Sequence, residues 1–372
     1  MRPKRPDLSL LVIVLILSLM GILMILSASA PTAQLELKDS LYFFRKQLIW
    51  GFLGALALVV GTWIPLDGLR SLSKPMLFGT AILLLLTHIP GIGTTTLGSS
   101  RWLRFGPIGI QPSELAKIAL ILFLADVLAR KPDVWSMQDL RHLLLPVGGI
   151  LGMVLFQPDL GTTIVLVIGA FSLFWFNGLN PMVLAGVGGT GALGLLIHSL
   201  NTPYQRERWL AFLDPWKYPK DIGFQLIQSL LAIGSGGIFG TGWGQGKQKL
   251  FYLPIQYADF IFAVVAEELG LIGTVAVILL FFFFAQRGFS IARGALSPFH
   301  QLLVGGFTTM ICAQALINIG VVTASLPTTG VPLPFLSFGG TSLLVTLFAV
   351  GVILNVSQET HFKLQLIRGK KP

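Results

Sequence analysis

The sequence predicts an all-α protein, a polytopic membrane helix bundle of about ten transmembrane helices with a large extracytoplasmic loop between spans seven and eight. Three observations predict it. Of 372 residues, 53% are hydrophobic and 11% charged, against about 25% charged in an ordinary soluble domain, so there is too little charge to cover a water-exposed globule. The mean hydropathy of the whole chain is +0.79. The apolar residues also come in blocks of about 18 to 25, the length that crosses a hydrocarbon core. Helices are expected because an open sheet edge cannot satisfy its backbone in lipid.

Hydropathy puts the spans at roughly 8–30, 47–64, 75–92, 112–129, 143–157, 161–177, 181–199, 259–286, 301–325 and 339–355. The first follows Arg2, Lys4 and Arg5 like the opening of a signal peptide. It runs past about 20 apolar residues, with only Ala28-Ser29-Ala30 as a weak cleavage pattern, and reads as a retained helix. A tight Pro158-Asp159 turn joins the fifth and sixth. In the seventh, the spacing of Gly186, Gly188, Gly189, Gly191 and Gly194 allows close helix approach or movement, with packing the expected use. The eighth begins at Asp259 and carries Glu267 and Glu268. Residues 1–372 hold no repeat and no separate soluble domain, so they read as one integral membrane domain.

Basic residues set the orientation. With the N-terminus inside, Arg5, Arg70, Lys74, Arg130, Arg141, Arg287, Arg293 and the basic C-terminal tail all face the cytoplasm, and an even number of spans returns the C-terminus there. The net charge of +10 then belongs to the membrane flanks, and nucleic acid is not expected as a partner. Cys312 is the only cysteine. It excludes an intrachain disulfide and reads as a small core residue.

The loop at about 200–258 interleaves Arg206, Arg208 and Lys217 with Trp209, Trp216 and Tyr218. An amphipathic stretch from Phe224 to Ile233 and a glycine-rich run from Gly234 to Gly246 follow. It reads either as an interfacial cap or as a segment with a fold of its own.

Charges within or at the mouths of spans carry the chemistry, because burial in lipid is costly. Gln111-Pro112-Ser113-Glu114-Leu115-Ala116-Lys117 opens the fourth span, and its spacing puts Gln111, Glu114 and Lys117 on one helix face. That stripe either faces a water-filled cleft or closes on itself as a Glu114–Lys117 pair. A Lys117–Asp259 contact is expected, with Glu114 as the alternative partner. Asp259 is a candidate catalytic carboxylate or simply a helix N-cap. Its position leaves two outcomes open: a low pKa beside the helix dipole or a raised one in a desolvated cleft. Glu267 and Glu268 lie about 12 Å deeper and read as a structural network. On the same outer side lie Ser100-Arg101-Trp102, the Gln157-Pro158-Asp159-Leu160-Gly161 turn and Pro334-Phe335-Leu336-Ser337-Phe338-Gly339-Gly340. Together they assemble carboxylates, cations and exposed backbone fit to hold an anionic head group and take a proton from a hydroxyl.

These segments, in this order on ten spans, resemble the SEDS family (shape, elongation, division and sporulation), over residues 10 to 356. Gly330 to Phe335 and Leu354 to Ser357 are closer to its division-type than to its elongation-type members. The resemblance implies a peptidoglycan glycosyltransferase in the bacterial cytoplasmic membrane that polymerises lipid II, with Asp259 as its essential aspartate. It also implies a class B penicillin-binding protein and other divisome or elongasome proteins as partners. Arg101, Trp102, Gln111, Ser113, Glu114, Lys117, Asp159, Lys247, Lys249, Ser337, Gly339 and Gly340 are then expected at the substrate. Arg101, Lys117, Lys247 and Lys249 are expected to offset pyrophosphate charge. A divalent cation could share that task, although no dedicated metal motif is present. Two positions depart from the family pattern: Pro254 to Ala258 replaces a segment that usually holds glutamate and histidine, and Phe338 replaces a tyrosine. A lipid II flippase is the rival reading, although transporters gather polar groups near the midplane on broken helices. A non-catalytic scaffold for a transpeptidase is the second.

Overall fold

The computed structural model describes residues 5–89, 93–96, 99–106, 108–130, 137–220, 222–249 and 256–368. Its helices are α1 (Leu8–Leu37), α2 (Tyr42–Trp63), α3 (Leu66–Ser71), α4 (Ser73–Leu86), α5 (Pro112–Arg130), α6 (Met137–Phe156), α7 (Leu160–Phe176), α8 (Pro181–Asn201), α9 (Pro203–Leu213), α10 (Phe224–Gly236), α11 (Ile261–Gly294), α12 (Pro298–Val322) and α13 (Gly340–Arg368). Each of the ten expected spans coincides with one of them. Among the described residues, six are long and apolar enough to cross a membrane: α1, α2, α8, α11, α12 and α13 as far as Glu359. Helix α5 misses that standard because it carries Glu114, Lys117, Asp126 and Arg130. Helices α4 and α7 and the apolar part of α6 are shorter, at 10–17 residues.

Helix starts follow local chemistry. Asp7 caps α1 by accepting from the Leu10 N–H at 2.9 Å, and Ser297 caps α12 through the His300 N–H at 3.1 Å. Helices α12 and α13 form the centre, their apolar stretches 78% and 83% buried, whereas α2 and α8 are 11% buried and turn their side chains outward. Helix α13 packs along α2 through small residues: a Cβ on Gly351 would sit 2.2 Å from the Leu58 carbonyl oxygen. Most glycines of α8 do not work this way. Only Gly188 makes the expected close approach, since a Cβ there would lie 2.9 Å from the Phe171 ring of α7, while Gly186, Gly189, Gly191 and Gly194 have open space around them.

Two features depart from the reading as helices and loops. A three-stranded antiparallel sheet, β1 (Gly93–Thr96), β2 (Ser99–Phe105) and β3 (Ile108–Ile110), bridges α4 to α5. Helix α11 breaks at Gly270, which adopts φ 66°. Its upper part, Ile261 to Leu269, is a separate half-helix. The break lets the outer loop hydrogen-bond into α11: Thr241 and Gly242 donate to the carbonyls of Glu267 and Glu268, and Leu271 donates to Gly237. The glycine-rich run therefore lies alongside α11.

The end remote from Asp259 collects both ends of the described chain. The Asp7 backbone N–H donates to the Ser357 hydroxyl at 3.0 Å, and Arg287 pairs with Asp7. Arg70 and Arg130 share the Asp126 carboxylate at 2.7 and 2.9 Å. Arg70 also lies over Phe299, next to the His300–Glu359 pair.

Candidate functional site

Asp259 stands in the turn that brings the outer loop into α11. It is not the N-cap: the helix starts at Ile261, Phe260 takes the capping position, and no side chain caps it. The residue is half-buried and held by its backbone. Asn318 of α12 donates to the Asp259 carbonyl at 2.8 Å and to the Val331 carbonyl at 2.8 Å. One amide thus ties this turn to the segment after α12. Gly330, at φ 73°, presents bare backbone there: a Cβ would lie 3.6 Å from the Asp259 Oδ2. The Ser337 hydroxyl donates to the Ala258 carbonyl and accepts from the Leu333 N–H, and the Phe338 N–H donates to the Tyr257 carbonyl at 2.9 Å.

Two guanidiniums are anchored on the loops around this carboxylate. Arg101, on β2, donates from Nε to the Gln157 carbonyl at 3.0 Å and from Nη2 to the Pro158 carbonyl. Arg208, on α9, lies 4.4 Å over the Tyr204 ring, bonds its hydroxyl, and donates from Nη1 to the Thr328 carbonyl at 3.1 Å. The Thr328–Val331 segment also meets α7, since a Cβ on Gly161 would be 2.3 Å from Val331 and 2.9 Å from the Thr329 carbonyl. A guanidinium has five N–H donors, so both arginines keep donors beyond their anchoring bonds.

Burial pushes the Asp259 carboxyl above the ordinary aspartate range, Arg208 and Arg101 pull it back down, and Asp159 pushes it up. Of the two outcomes left open by the sequence, desolvation wins over the helix dipole. A carboxylate of raised pKa near guanidiniums with free donors is the chemistry that general-base catalysis beside an anionic group would use.

Several expected substrate residues are instead spent on protein partners. Lys117 does not ion-pair with Asp259; its ammonium lies 2.7 Å from Glu114 and 2.7 Å from the Gln314 oxygen, because a fully buried cation takes the carboxylate one turn away on its own helix. Asp159 caps α7 through the Thr162 N–H at 3.1 Å, and its other oxygen accepts from Gln111 and Ser113 at 3.3 and 3.2 Å. Gly340 lets α13 start against Trp50, whose ring a Cβ would meet at 2.1 Å. Gly339 precedes that start, and Ser337 locks the preceding turn.

Trp102 is half-buried in the sheet beside Gly109, 3.4 Å from where a Cβ there would lie. Lys249 is buried and paired with Glu268 at 2.7 Å, so its charge is committed below the site. Lys247 has an exposed side chain, and its backbone N–H donates to Glu267 at 2.6 Å. Pro254 and Ile255, where the family pattern is broken, lie outside the described residues. Sequence reading left Arg208 among the loop cations. Its signal was the i, i+4 spacing from Tyr204, which places guanidinium on ring.

A family model described as cell cycle protein, FtsW/RodA/SpoVE, matches residues 7–362. A protein of Geobacter metallireducens named probable peptidoglycan glycosyltransferase FtsW is 42% identical over 357 residues, covering 95% of each chain. Stage V sporulation protein E of Bacillus subtilis is 40% identical over 365 residues, covering 97% of this chain and 99% of its own. Among solved structures, a peptidoglycan synthase complex described as coordinating polymerization and crosslinking aligns with a TM-score of 0.79 at 31% identity, covering 96% of this chain and 98% of that one. The rod shape determining protein RodA of Thermus thermophilus aligns with a TM-score of 0.72 at 27% identity, covering 96% and 98%. On helices, turns and sequence alike, the chain belongs to the FtsW/RodA/SpoVE family of cell cycle proteins.

Proposed function

We propose that this chain is a peptidoglycan glycosyltransferase that polymerises lipid II at the outer face of the bacterial cytoplasmic membrane, in the division role of its FtsW-named relatives. The observation that carries the reading is Asp259: a half-buried carboxylate that caps nothing, walled by Gly330 and flanked by Arg101 and Arg208. In the reaction, Asp259 accepts the proton of an acceptor sugar 4-hydroxyl as that oxygen bonds to the anomeric carbon of the growing chain. The anomeric C–O bond breaks, and undecaprenyl pyrophosphate leaves with the electron pair. Arg101 and Arg208 meet the charge developing on that leaving group. Among the described residues no group of three or more His, Cys, Asp or Glu could hold a metal ion; a divalent cation at this site would have to be shared with the substrate phosphates.

The same reading gives ten crossings with both termini cytoplasmic, because both ends of the described chain meet at the pole that gathers Arg70, Arg130 and Arg287. It gives a class B penicillin-binding protein as the partner, in keeping with the synthase complex among the similar structures. The deciding experiment supplies labelled lipid II to purified protein in vesicles. Wild type should make polymer. Asp259→Asn, at matched melting temperature, should lose about 10²–10⁴-fold of turnover. Translocation without polymer would make the protein a flippase, and neither activity would make it a scaffold.

A further inference from the structure

Below the proposed site lies a buried polar group that the reaction does not use. Lys249 donates from Nζ to Glu268 Oε1 at 2.7 Å and to the Ser27 hydroxyl at 2.8 Å. Ser27 is also 2.7 and 2.8 Å from the two Glu268 oxygens, and the Gly244 N–H donates to Oε2 at 3.0 Å. Glu267, beside it, accepts the N–H groups of Lys247 and Gln248. Lys249 and Glu268 are 4% and 1% exposed, so both charges are desolvated at a cost that a well-packed apolar pair would avoid.

The group joins three pieces of chain: Ser27 on α1, Gly244 to Lys249 in the outer loop, and Glu268 in the half-helix headed by Asp259. A second clasp lies closer to the site. Gln256, three residues before Asp259 and 2% exposed, donates to the Ala28 carbonyl at 3.0 Å, the Thr32 hydroxyl at 3.2 Å and the Lys249 carbonyl at 3.3 Å. A cleft of about 550 Å³ separates α1, at Leu26 and Pro31, from Trp243 and Gln245 of the loop, with Ser27 and Lys249 in its lining. Among the described residues, these polar bonds cross from loop and half-helix to α1 beside that cleft. Beyond Glu268 the helix breaks at Gly270, so the half-helix is not held in line by the rest of α11.

We propose that Lys249, Glu268 and Ser27, with Gln256, form a polar staple that fixes the half-helix and the preceding turn against α1. Lys249, Glu268 and Gln256 are then positioning residues for Asp259. The staple rests on the reading of Asp259 as the base, and a misplacement of about 1 Å at such a group costs up to roughly a hundredfold in rate.

The test uses the full-length protein in vesicles and two readouts: lipid II polymerisation and backbone amide exchange over residues 256–268. Lys249→Met and Glu268→Leu each strand a buried charge and should lower the melting temperature. The combined variant removes both charges and should regain it. It should still turn over about a hundredfold slower with KM within about twofold, and the amides of 256–262 should exchange faster. Gln256→Leu leaves the ion pair intact and should show the same split in milder form; it decides the matter if the combined variant does not fold. A folded combined or Gln256→Leu variant with near-wild-type kcat overturns the staple, as does a slow variant whose 256–262 amides exchange as in wild type. Failure of wild type to polymerise would instead overturn the glycosyltransferase reading, and the exchange data would still judge the staple.

Discussion

At the scale of single residues, Asp259 illustrates the tension between stability and function. Its carboxyl is raised by burial, so folding favours the protonated form. That contribution is present below the unfolded aspartate pKa and is lost as pH rises through the folded one. At neutral pH the native state holds a half-desolvated charge, and Asp259→Asn should melt higher than wild type, the gap closing as pH falls through the folded pKa. Thermal melts across that range check the sign, and a variant that melts lower throughout would make Asp259 a structural group. Turnover runs the other way, because the base works only when deprotonated: the acid limb of the rate profile should lie above that of an exposed aspartate. Arg208 pulls the carboxyl down, so Arg208→Gln should move the limb further up, whereas loss of an Arg208 that only anchored Thr328 would slow the reaction without moving it.

At the scale of elements, the long helices were legible because block length and hydropathy survive any arrangement of neighbours. Asp259 stood out in the sequence because it sits in a local motif at the mouth of an apolar block. What was not legible depends on partners far along the chain: Ser27 meets Glu268 across 241 positions and Lys249 across 222, and no periodicity encodes such pairings. The sheet was missed for another reason. Its β-branched Thr94 to Thr96 and the aromatic Trp102 and Phe105 favour strand, but they lie between apolar blocks that dominate any hydropathy window.

The re-entry of the loop against α11 makes its own prediction through two glycines. Gly240 has φ 81° and would place a Cβ 2.2 Å from the Glu268 carbonyl oxygen, whereas Gly234, within α10, has nothing within 4 Å. Gly240→Ala should cost at least about 1–3 kcal/mol and loosen the loop. Gly234→Ala should be neutral or gain about 0.4–1 kcal/mol. Equal effects in denaturant titrations would mean that the loop does not lie along α11.

At the scale of the whole molecule, the charges divide between two poles. One holds Asp259, Arg101 and Arg208; the other holds three ion-paired groups, Asp7 with Arg287, Asp126 with Arg70 and Arg130, and His300 with Glu359. The second pole also receives the start of α1 and the distal part of α13, and six described helices meet the length and apolarity standard unaided. On the ten-crossing reading proposed above, the shorter α4 and α7, with the apolar part of α6 and the charged α5, complete the bundle where neighbouring helices cover them, as they cover the buried Lys117–Glu114 pair of α5. Glu36 near the end of α1 should lie outside and Gln365 near the end of α13 inside. With Cys312 replaced by alanine, single cysteines at these positions report this directly. An impermeant maleimide on intact spheroplasts should label position 36 and reach position 365 only after permeabilisation. Labelling of 365 from outside would invert one pole and, with it, the assignment of Asp259 to the face where the lipid-linked sugars are joined.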